Sequence, residues 1–268
     1  MSQAPPRAAI VGLGLIGGSL GIDLRRAGWR IGWIDPAIAP GGGGEAADEP
    51  LSWESLGGWR PDLVVLAAPL DAVARQLAEA PLEGHLVTSV CSLMAPLCEA
   101  ARRRRLRFVA GHPFAGSEKS GPAAAAAALF RGRRWFVEPT AERTVLAMIA
   151  AAGAEPFPVD PAAHDAALAA TSHLPQILST ALASMVAADR ERLEPFLGDG
   201  LATFLRLAGS SFEVWDPVLR GNRGAIVEAQ QRLHQAIGRI LEGEGREEFE
   251  RARELWRALE ERQAGPAS

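Results

Sequence analysis

A glycine-rich turn between a predicted strand and a predicted helix constrains the fold of this chain more than any other feature. Residues 8–14 read AAIVGLG, an apolar run typical of a buried strand, and a helical pattern follows it. Gly12, Gly14 and Gly17 form GLGLIG at the junction. In this context the glycines permit a tight turn, a close approach of a pyrophosphate and close packing of the helix on the strand. The pattern predicts a Rossmann-type dinucleotide-binding domain.

The acidic residue that such a domain needs is also present. The next predicted strand, IGWID, ends at Asp35, where a carboxylate can accept hydrogen bonds from both hydroxyls of a ribose. A carboxylate at this position repels a 2′-phosphate, and the next arginine along the chain is Arg60. We therefore expect NAD rather than NADP as the cofactor. The expected cofactor-binding residues are Gly12, Leu13, Gly14, Leu15, Ile16, Gly17, Asp35, Ala68 and Pro69.

Strand and helix patterns alternate as far as about residue 159. Strands that alternate with helices of about ten residues indicate parallel βαβ units with right-handed crossovers. From residue 160 onward the patterns are helical, with no convincing strand. The predicted fold class is therefore an α/β Rossmann-type domain, residues 1–159, followed by an all-α domain, residues 160–268.

Two stretches of the first domain have unusual compositions. Residues 36–60 begin with a Gly/Pro-rich sequence, which predicts a loop where a strand and a helix have been trimmed. The alanine run at residues 123–128 lies in a helix-like segment from Pro122 to Phe130. Because alanine is the best helix former, we predict a helix there.

Charge argues against a nucleic-acid partner. The 268-residue chain has a net charge of −4 at pH 7, whereas nucleic-acid binding depends on clustered cations that neutralise phosphates. The arginine run 102–105 follows a helix-like stretch, where cations complement the carboxyl end of a helix dipole. We interpret it as a solvated helix end.

Other features point to a soluble cytoplasmic protein. No apolar run approaches the ~20 residues that span a bilayer, so no membrane partner is expected. The sequence MSQAPPRAAIVGLG lacks the basic segment, apolar core and cleavage site of a secretory signal. The two cysteines, Cys91 and Cys98, fit neither a metal knuckle nor a CxxC redox pair, so we expect structural thiols and no metal site.

Three polar residues among apolar neighbours are candidates for chemistry. His112 follows the strand-like RFVAG, at the strand end where open α/β sheets bind ligands, and histidine accepts protons near neutral pH. His173 precedes Pro175 in TSHLPQ, and Arg206 lies in the apolar sequence TFLRLAGSSF. Structural histidines, and an internal acidic partner for Arg206, remain the alternatives at this point.

Four motifs in order carry a resemblance to a known family. GLGLIGGS, GHPFAGSEKSG, TSHLPQ and FLRLAGSSFEVW, the last followed by Asn222, together resemble the prephenate/arogenate dehydrogenase family over about residues 7–240. The resemblance implies a Rossmann-type domain joined to an all-helical dimerisation domain, and hence a homodimer. It also implies oxidative decarboxylation of prephenate or arogenate, with hydride transfer to NAD.

The resemblance also assigns roles to individual residues. His112 matches the histidine that binds the ring hydroxyl and takes its proton, and Ser89 matches a serine that shares this hydroxyl. Arg206 matches the arginine that holds a substrate carboxylate, and His173 matches a residue that lines the same pocket. The remaining residues expected near the substrate are Ser117 and Lys119, the latter being the only lysine in the chain.

The chain departs from the family pattern at several positions. Cys91 stands where the family usually has a lysine, Gln176 replaces a second histidine of the SHLPH motif, and Thr203 changes the wall before the substrate arginine. Two alternatives remain open. One is another two-domain β-hydroxyacid-type dehydrogenase, and the other is a non-catalytic protein that senses NAD.

Overall fold

The computed structural model of the chain describes residues 4–115 and 121–264 and contains two compact units. The first unit comprises the described parts of Met1–Leu168 together with Ser210–Asn222. The second comprises Ala169–Gly209 and the described residues from Arg223 onward. The predicted boundary at residues 159 and 160 precedes this division by one short helix and stays a prediction.

The secondary-structure elements alternate in the first unit and are helical in the second. The strands are β1 (Arg7–Val11), β2 (Arg30–Ile34), β3 (Glu49–Pro50), β4 (Leu63–Leu66), β5 (Leu86–Ser89), β6 (Arg107–Val109), β7 (Gly111–Pro113), β8 (Arg134–Val137) and β9 (Glu155–Pro158). The α-helices are α1 (Leu15–Arg26), α2 (Trp53–Trp59), α3 (Leu70–Glu79), α4 (Ala95–Arg103), α5 (Arg143–Ala151), α6 (Pro161–Leu168), α7 (Leu174–Ala188), α8 (Arg190–Leu193), α9 (Asp199–Phe204), α10 (Phe212–Gly221), α11 (Arg223–Leu241) and α12 (Arg246–Ala264).

A six-stranded parallel sheet forms the centre of the first unit. Its strand order is β3-β2-β1-β4-β5-β6, with every paired strand parallel. The residues of β4 and β5 are buried throughout, as expected for strands covered on both faces. The order reverses between β1 and β4, and ligands bind open α/β sheets outside the carboxyl ends of the strands at such a point. The predicted Rossmann-type fold is confirmed.

A separate three-stranded sheet follows the parallel one. Its order is β7-β8-β9, and β7 pairs with β8 in antiparallel fashion, with His112 opposite Phe136. The prediction of parallel units throughout is therefore wrong here. Only Ala110 separates β6 from β7, whereas a parallel neighbour needs a crossover of a dozen or more residues. His112 lies on a strand of this second sheet, not in a turn after the first.

The predicted helix over the alanine-rich segment (Pro122–Phe130) is wrong, since only its first three residues form a helical turn, of the 3₁₀ type. The amide of Ala126 donates to Ser19 Oγ at 2.9 Å, and the amide of Ala128 donates to Asp23 Oδ1 at 2.8 Å. Because side chains of α1 satisfy these amides, tertiary contacts override the helix propensity of alanine.

The segment 36–60 keeps a short strand and a short helix. Turns occupy most of residues 36–46, as the Gly/Pro-rich composition predicts. The two-residue strand β3 then pairs with β2, and Ser52 and Ser55 cap the start of α2 by reciprocal side-chain-to-backbone bonds. The trimmed elements are shortened rather than lost.

The described residues of the second unit form helices joined by short turns and contain no strand, which confirms the prediction of a helical domain. A π-helical turn, Ala169–His173, leads directly into α7. None of the described helices is both long and apolar enough to cross a membrane.

Candidate active site

At the glycines of the β1–α1 turn, the room around each Cα is that expected of a nucleotide-binding turn. Gly12 has a φ of 99°, and a Cβ there would lie 2.9 Å from the backbone of Ala67. A Cβ on Gly17 would lie 1.9 Å from the carbonyl oxygen of Gly12, so the helix can approach the turn only without a side chain. A Cβ on Gly14 would meet no described atom within 4 Å. The turn is therefore closed against the sheet and open at Gly14, which fits a bound pyrophosphate.

The start of α1 supports this fit. Gly14 is the N-cap residue, and it brings no side chain to the free amides of the first turn, which begins with Leu15 and Ile16. No acidic residue occupies that turn. Free amides and the positive end of the helix dipole together favour an anion.

Asp35 is fixed at the carboxyl end of β2. Its Oδ2 accepts the amide of Leu13 at 2.9 Å, and its Oδ1 accepts the amide of Ala37 at 2.9 Å. Each oxygen of a carboxylate has a second lone pair, so both retain capacity to accept ribose hydroxyls. The two backbone bonds hold the carboxylate next to the glycine turn.

The end of β4 provides the other side of the predicted cofactor site. Ala68 and Pro69 follow this strand, and Pro69 is the N-cap residue of α3. Cys91 is buried close by, with its Sγ 3.9 Å from the carbonyl oxygen of Ala68. Burial raises the pKa of the Cys91 thiol to about 12. A neutral thiol thus lies at the position where the resemblance implies a lysine.

Ser89 ends β5 with a buried hydroxyl. Its side chain is fully buried, and the Oγ atom has no hydrogen-bond partner among the described residues. A buried polar group without a partner is costly, so such a group in a folded protein calls for an explanation. Gly111, the residue before His112, packs against the Ser89 carbonyl, since a Cβ on Gly111 would lie 3.0 Å from that oxygen. The strand β7, which carries His112, therefore approaches the end of β5, which carries Ser89, although the two strands belong to different sheets.

His112 belongs to a chain of hydrogen-bonded side chains that the sequence analysis missed. His112 Nδ1 lies 3.0 Å from His164 Nε2, and His164 Nδ1 lies 2.7 Å from Asp165 Oδ1. His164 and Asp165 are almost fully buried at the middle of α6. The signal in the sequence was a His-Asp pair within PAAHDAAL, where a buried charged pair requires partners.

The second unit carries the other predicted substrate residues. His173 is buried just before α7, whereas Arg206 is exposed in the 3₁₀ turn Leu205–Gly209. Gln176 Nε2 donates to the carbonyl of Leu207 at 2.8 Å, so α7 fixes the turn that carries Arg206. Thr203 bonds within its own helix, with Oγ1 donating to the carbonyl of Asp199 at 2.9 Å. Gln176 is thus a structural anchor in this chain.

Ser117 and Lys119 lie outside the described residues. Their predicted places near the substrate stay predictions.

Comparison with known proteins identifies the family. The model for the nucleotide-binding domain of prephenate dehydrogenase matches residues 57–152, and the model for the dimerization domain of prephenate dehydrogenase matches residues 160–259. The chain belongs to the prephenate dehydrogenase family. As a member of this family it is an NAD-linked oxidoreductase. The first match begins after the glycine turn, so the cofactor cradle is supported by its geometry and not by that match.

Individual members of the family cover most of the chain. A probable prephenate dehydrogenase of Streptomyces niveus is 32% identical over 258 residues, which cover 88% of this chain and 68% of the relative. The prephenate dehydrogenase of Bacillus subtilis is 29% identical, over 90% of this chain and 70% of the relative. A crystal structure of the Aquifex aeolicus prephenate dehydrogenase, in complex with hydroxyphenyl propionate and NAD+, matches with a TM-score of 0.78 and 25% identity. That match covers 97% of this chain and all of the other.

Proposed function

We propose that this chain catalyses the oxidative decarboxylation of prephenate or arogenate with NAD as the hydride acceptor. The observation that carries the proposal is the buried, unpartnered hydroxyl of Ser89 beside the strand of His112, at the carboxyl edge that also carries the glycine turn and Asp35. A hydroxyl at the end of β5 and an imidazole on β7, whose backbone approaches that end, can provide a donor and an acceptor for a single substrate hydroxyl. The family and its relatives support the same reaction.

The chain's own residues account for the proton chemistry. NAD, when bound, supplies an acceptor for the hydride that leaves the ring carbon bearing the hydroxyl. His112 accepts the proton of that hydroxyl, and Ser89 donates a hydrogen bond to its oxygen. The ring carboxylate leaves as carbon dioxide, and the electrons of the broken carbon–carbon bond complete the aromatic ring and shift to the ring oxygen. That oxygen takes the proton back from His112, which gives the phenol product and a neutral histidine. A positioned base contributes typically 10²–10⁴-fold to such a step.

Substrate binding needs cations, because the substrate carries two carboxylates and the chain has a net charge of −4. Arg206 is the candidate for a charge-assisted bond to one carboxylate, and Lys119 is a second candidate cation. His173 and Ser117 are the other residues that we propose to contact the substrate. The anchored turn around Arg206 supports this role, since a fixed backbone limits the entropy lost when the side chain binds.

Three finer properties are part of the proposal. Asp35 favours NAD over NADP, since its fixed carboxylate repels a 2′-phosphate. The match of residues 160–259 to a dimerization domain supports a homodimer. A biosynthetic reaction on small acids suits the cytoplasm.

A side-by-side assay of prephenate and arogenate with NAD and NADP tests the proposal. We expect NADH formation with at least one of the two substrates, and a higher kcat/KM with NAD than with NADP. Each mole of NADH is expected to accompany one mole of carbon dioxide. Tight NAD binding without turnover of either substrate would contradict the proposal and favour an NAD sensor. Turnover restricted to a panel of β-hydroxy acids would also contradict it.

A further inference from the structure

The hydrogen bonds of Asp165 fix where the protons lie in the neighbouring histidines. The Asp165 carboxylate accepts the amides of Met94 at 3.0 Å and Ala95 at 2.9 Å, at the start of α4. Both oxygens of the Asp165 carboxylate thus already act as acceptors for backbone donors. An ionised carboxylate only accepts, so the proton between Asp165 and His164 lies on His164 Nδ1.

The same logic extends to His112. A neutral His164 with a proton on Nδ1 has a lone pair on Nε2, which therefore accepts the hydrogen bond in the 3.0 Å contact with His112 Nδ1. His112 must carry its proton on Nδ1. Its Nε2 is then the basic nitrogen, which is the state that a proton acceptor needs.

We propose that His164 and Asp165 are positioning residues which set the tautomer of His112 and stabilise the positive charge that His112 gains during the reaction. This inference rests on the proposed function, in which His112 takes the substrate's proton. When His112 Nε2 is protonated, its Nδ1–H still faces His164, and the Nδ1–H of His164 still faces the Asp165 carboxylate. The charge of the imidazolium is thus compensated through two hydrogen bonds.

The surroundings keep this arrangement rigid and dry. The exposed fractions of His164 and Asp165 are 2% and 3%, so water does not compete for their hydrogen bonds. Asn222 Nδ2 donates to the backbone carbonyl of Asp165 at 2.7 Å and ties the end of α10 to α6. The ring of Phe136 lies against both histidines, with centroid distances of 5.0 Å to His164 and 6.1 Å to His112.

The tautomer is measurable without substrate, which separates this inference from the proposed function. Long-range ¹H–¹⁵N spectra of the full chain report which nitrogen of each of its five histidines carries a proton. A His112→Asn spectrum assigns the His112 signals by subtraction. We expect neutral wild-type His112 to carry its proton on Nδ1. In Asp165→Asn the amide can donate to His164 Nδ1, which reverses both tautomers and moves the His112 proton to Nε2. A wild-type His112 protonated on Nε2, or an unchanged tautomer in Asp165→Asn, would overturn the inference.

Kinetics test the consequence for catalysis. Asp165→Asn is expected to lower kcat by about 10²–10⁴, the contribution of a positioned base that the wrong tautomer removes, while the dissociation constant for NAD changes less than twofold. The matched control is Asp160→Asn, five residues earlier, where the aspartate caps the same helix and asparagine caps as well. A kcat within twofold of wild type in Asp165→Asn would contradict the inference.

A second pair of variants decides the question if Asp165→Asn does not fold. His164→Gln keeps an oxygen that can accept the His112 Nδ1–H, whereas His164→Leu does not. We expect kcat to be at least tenfold higher in the glutamine variant than in the leucine variant, at equal melting temperatures. Equal kcat values in the two variants would show that His164 only fills space.

Discussion

Two neighbouring hydroxyls at the end of β5 show how position decides the role of a residue. Thr88 Oγ1 donates to the carbonyl of Val109 at 2.8 Å, so this hydroxyl joins β5 to β6. Ser89 Oγ is equally buried and has no partner among the described residues. The first hydroxyl stabilises the fold, whereas the second carries a desolvation cost that a bound substrate would relieve.

We expect Ser89→Ala to lower kcat/KM by about 10- to 100-fold, because a hydrogen bond to an oxygen that develops charge contributes about 1.5–3 kcal/mol. Its free energy of unfolding should be unchanged or higher, since no internal bond is lost. Thr88→Val is the matched contrast, with a loss of about 1 kcal/mol in stability and a retained kcat. Urea unfolding and steady-state rates check both variants. A destabilised Ser89→Ala with normal kinetics would show that the hydroxyl is structural.

At the scale of elements, the sequence predicts what is encoded locally. The GLGLIG turn is predictable because its spacing, strand and helix lie within about twenty residues. The alanine-rich segment is not, because the groups that hold it, Ser19 and Asp23, lie more than a hundred residues away on α1. The antiparallel β7–β8 pair is hidden for a similar reason, since strand patterns do not encode the partner strand.

The β1–α1 turn itself provides a test. Gly14 has a φ of −66°, which alanine adopts without strain. A Cβ at this position would meet no described atom within 4 Å. We therefore expect a normally folded protein whose NAD affinity falls about tenfold or more, because the methyl group occupies the side open to the pyrophosphate. Calorimetric titration with NAD measures this effect, with Gly58→Ala on α2 as the control. Unchanged affinity in Gly14→Ala would place the cofactor elsewhere.

At the scale of the whole molecule, the alternation of strands and helices in the parallel sheet and the change to helices after residue 160 were predictable from periodicity. The glycine turn between β1 and α1 and the place of Asp35 after β2 were predictable as well, because a fingerprint carries them. The His164–Asp165 pair was not, since its meaning depends on His112 and on the start of α4, which are distant in sequence. Side chains whose partners come from several elements become interpretable only when the fold is known.

Arg206, in the second unit, is the proposed cation for a substrate carboxylate, and its replacement tests that role. Arg206→Gln should raise KM for the substrate about 10- to 100-fold with little change in kcat, because a carboxylate contact made equally in the ground state and the transition state affects binding alone. Arg253→Gln on the exposed helix α12 is the control. An unchanged KM in Arg206→Gln would assign the substrate carboxylate to another cation.

The most direct test of the account is the turnover of His112→Asn with NAD and the better of the two substrates. Asparagine keeps a polar side chain on β7 but cannot take a proton near neutral pH. We predict that kcat falls by about 10²–10⁴, while the dissociation constant for NAD stays within twofold of wild type. A variant that retains wild-type kcat would remove His112 from the chemistry and contradict the account.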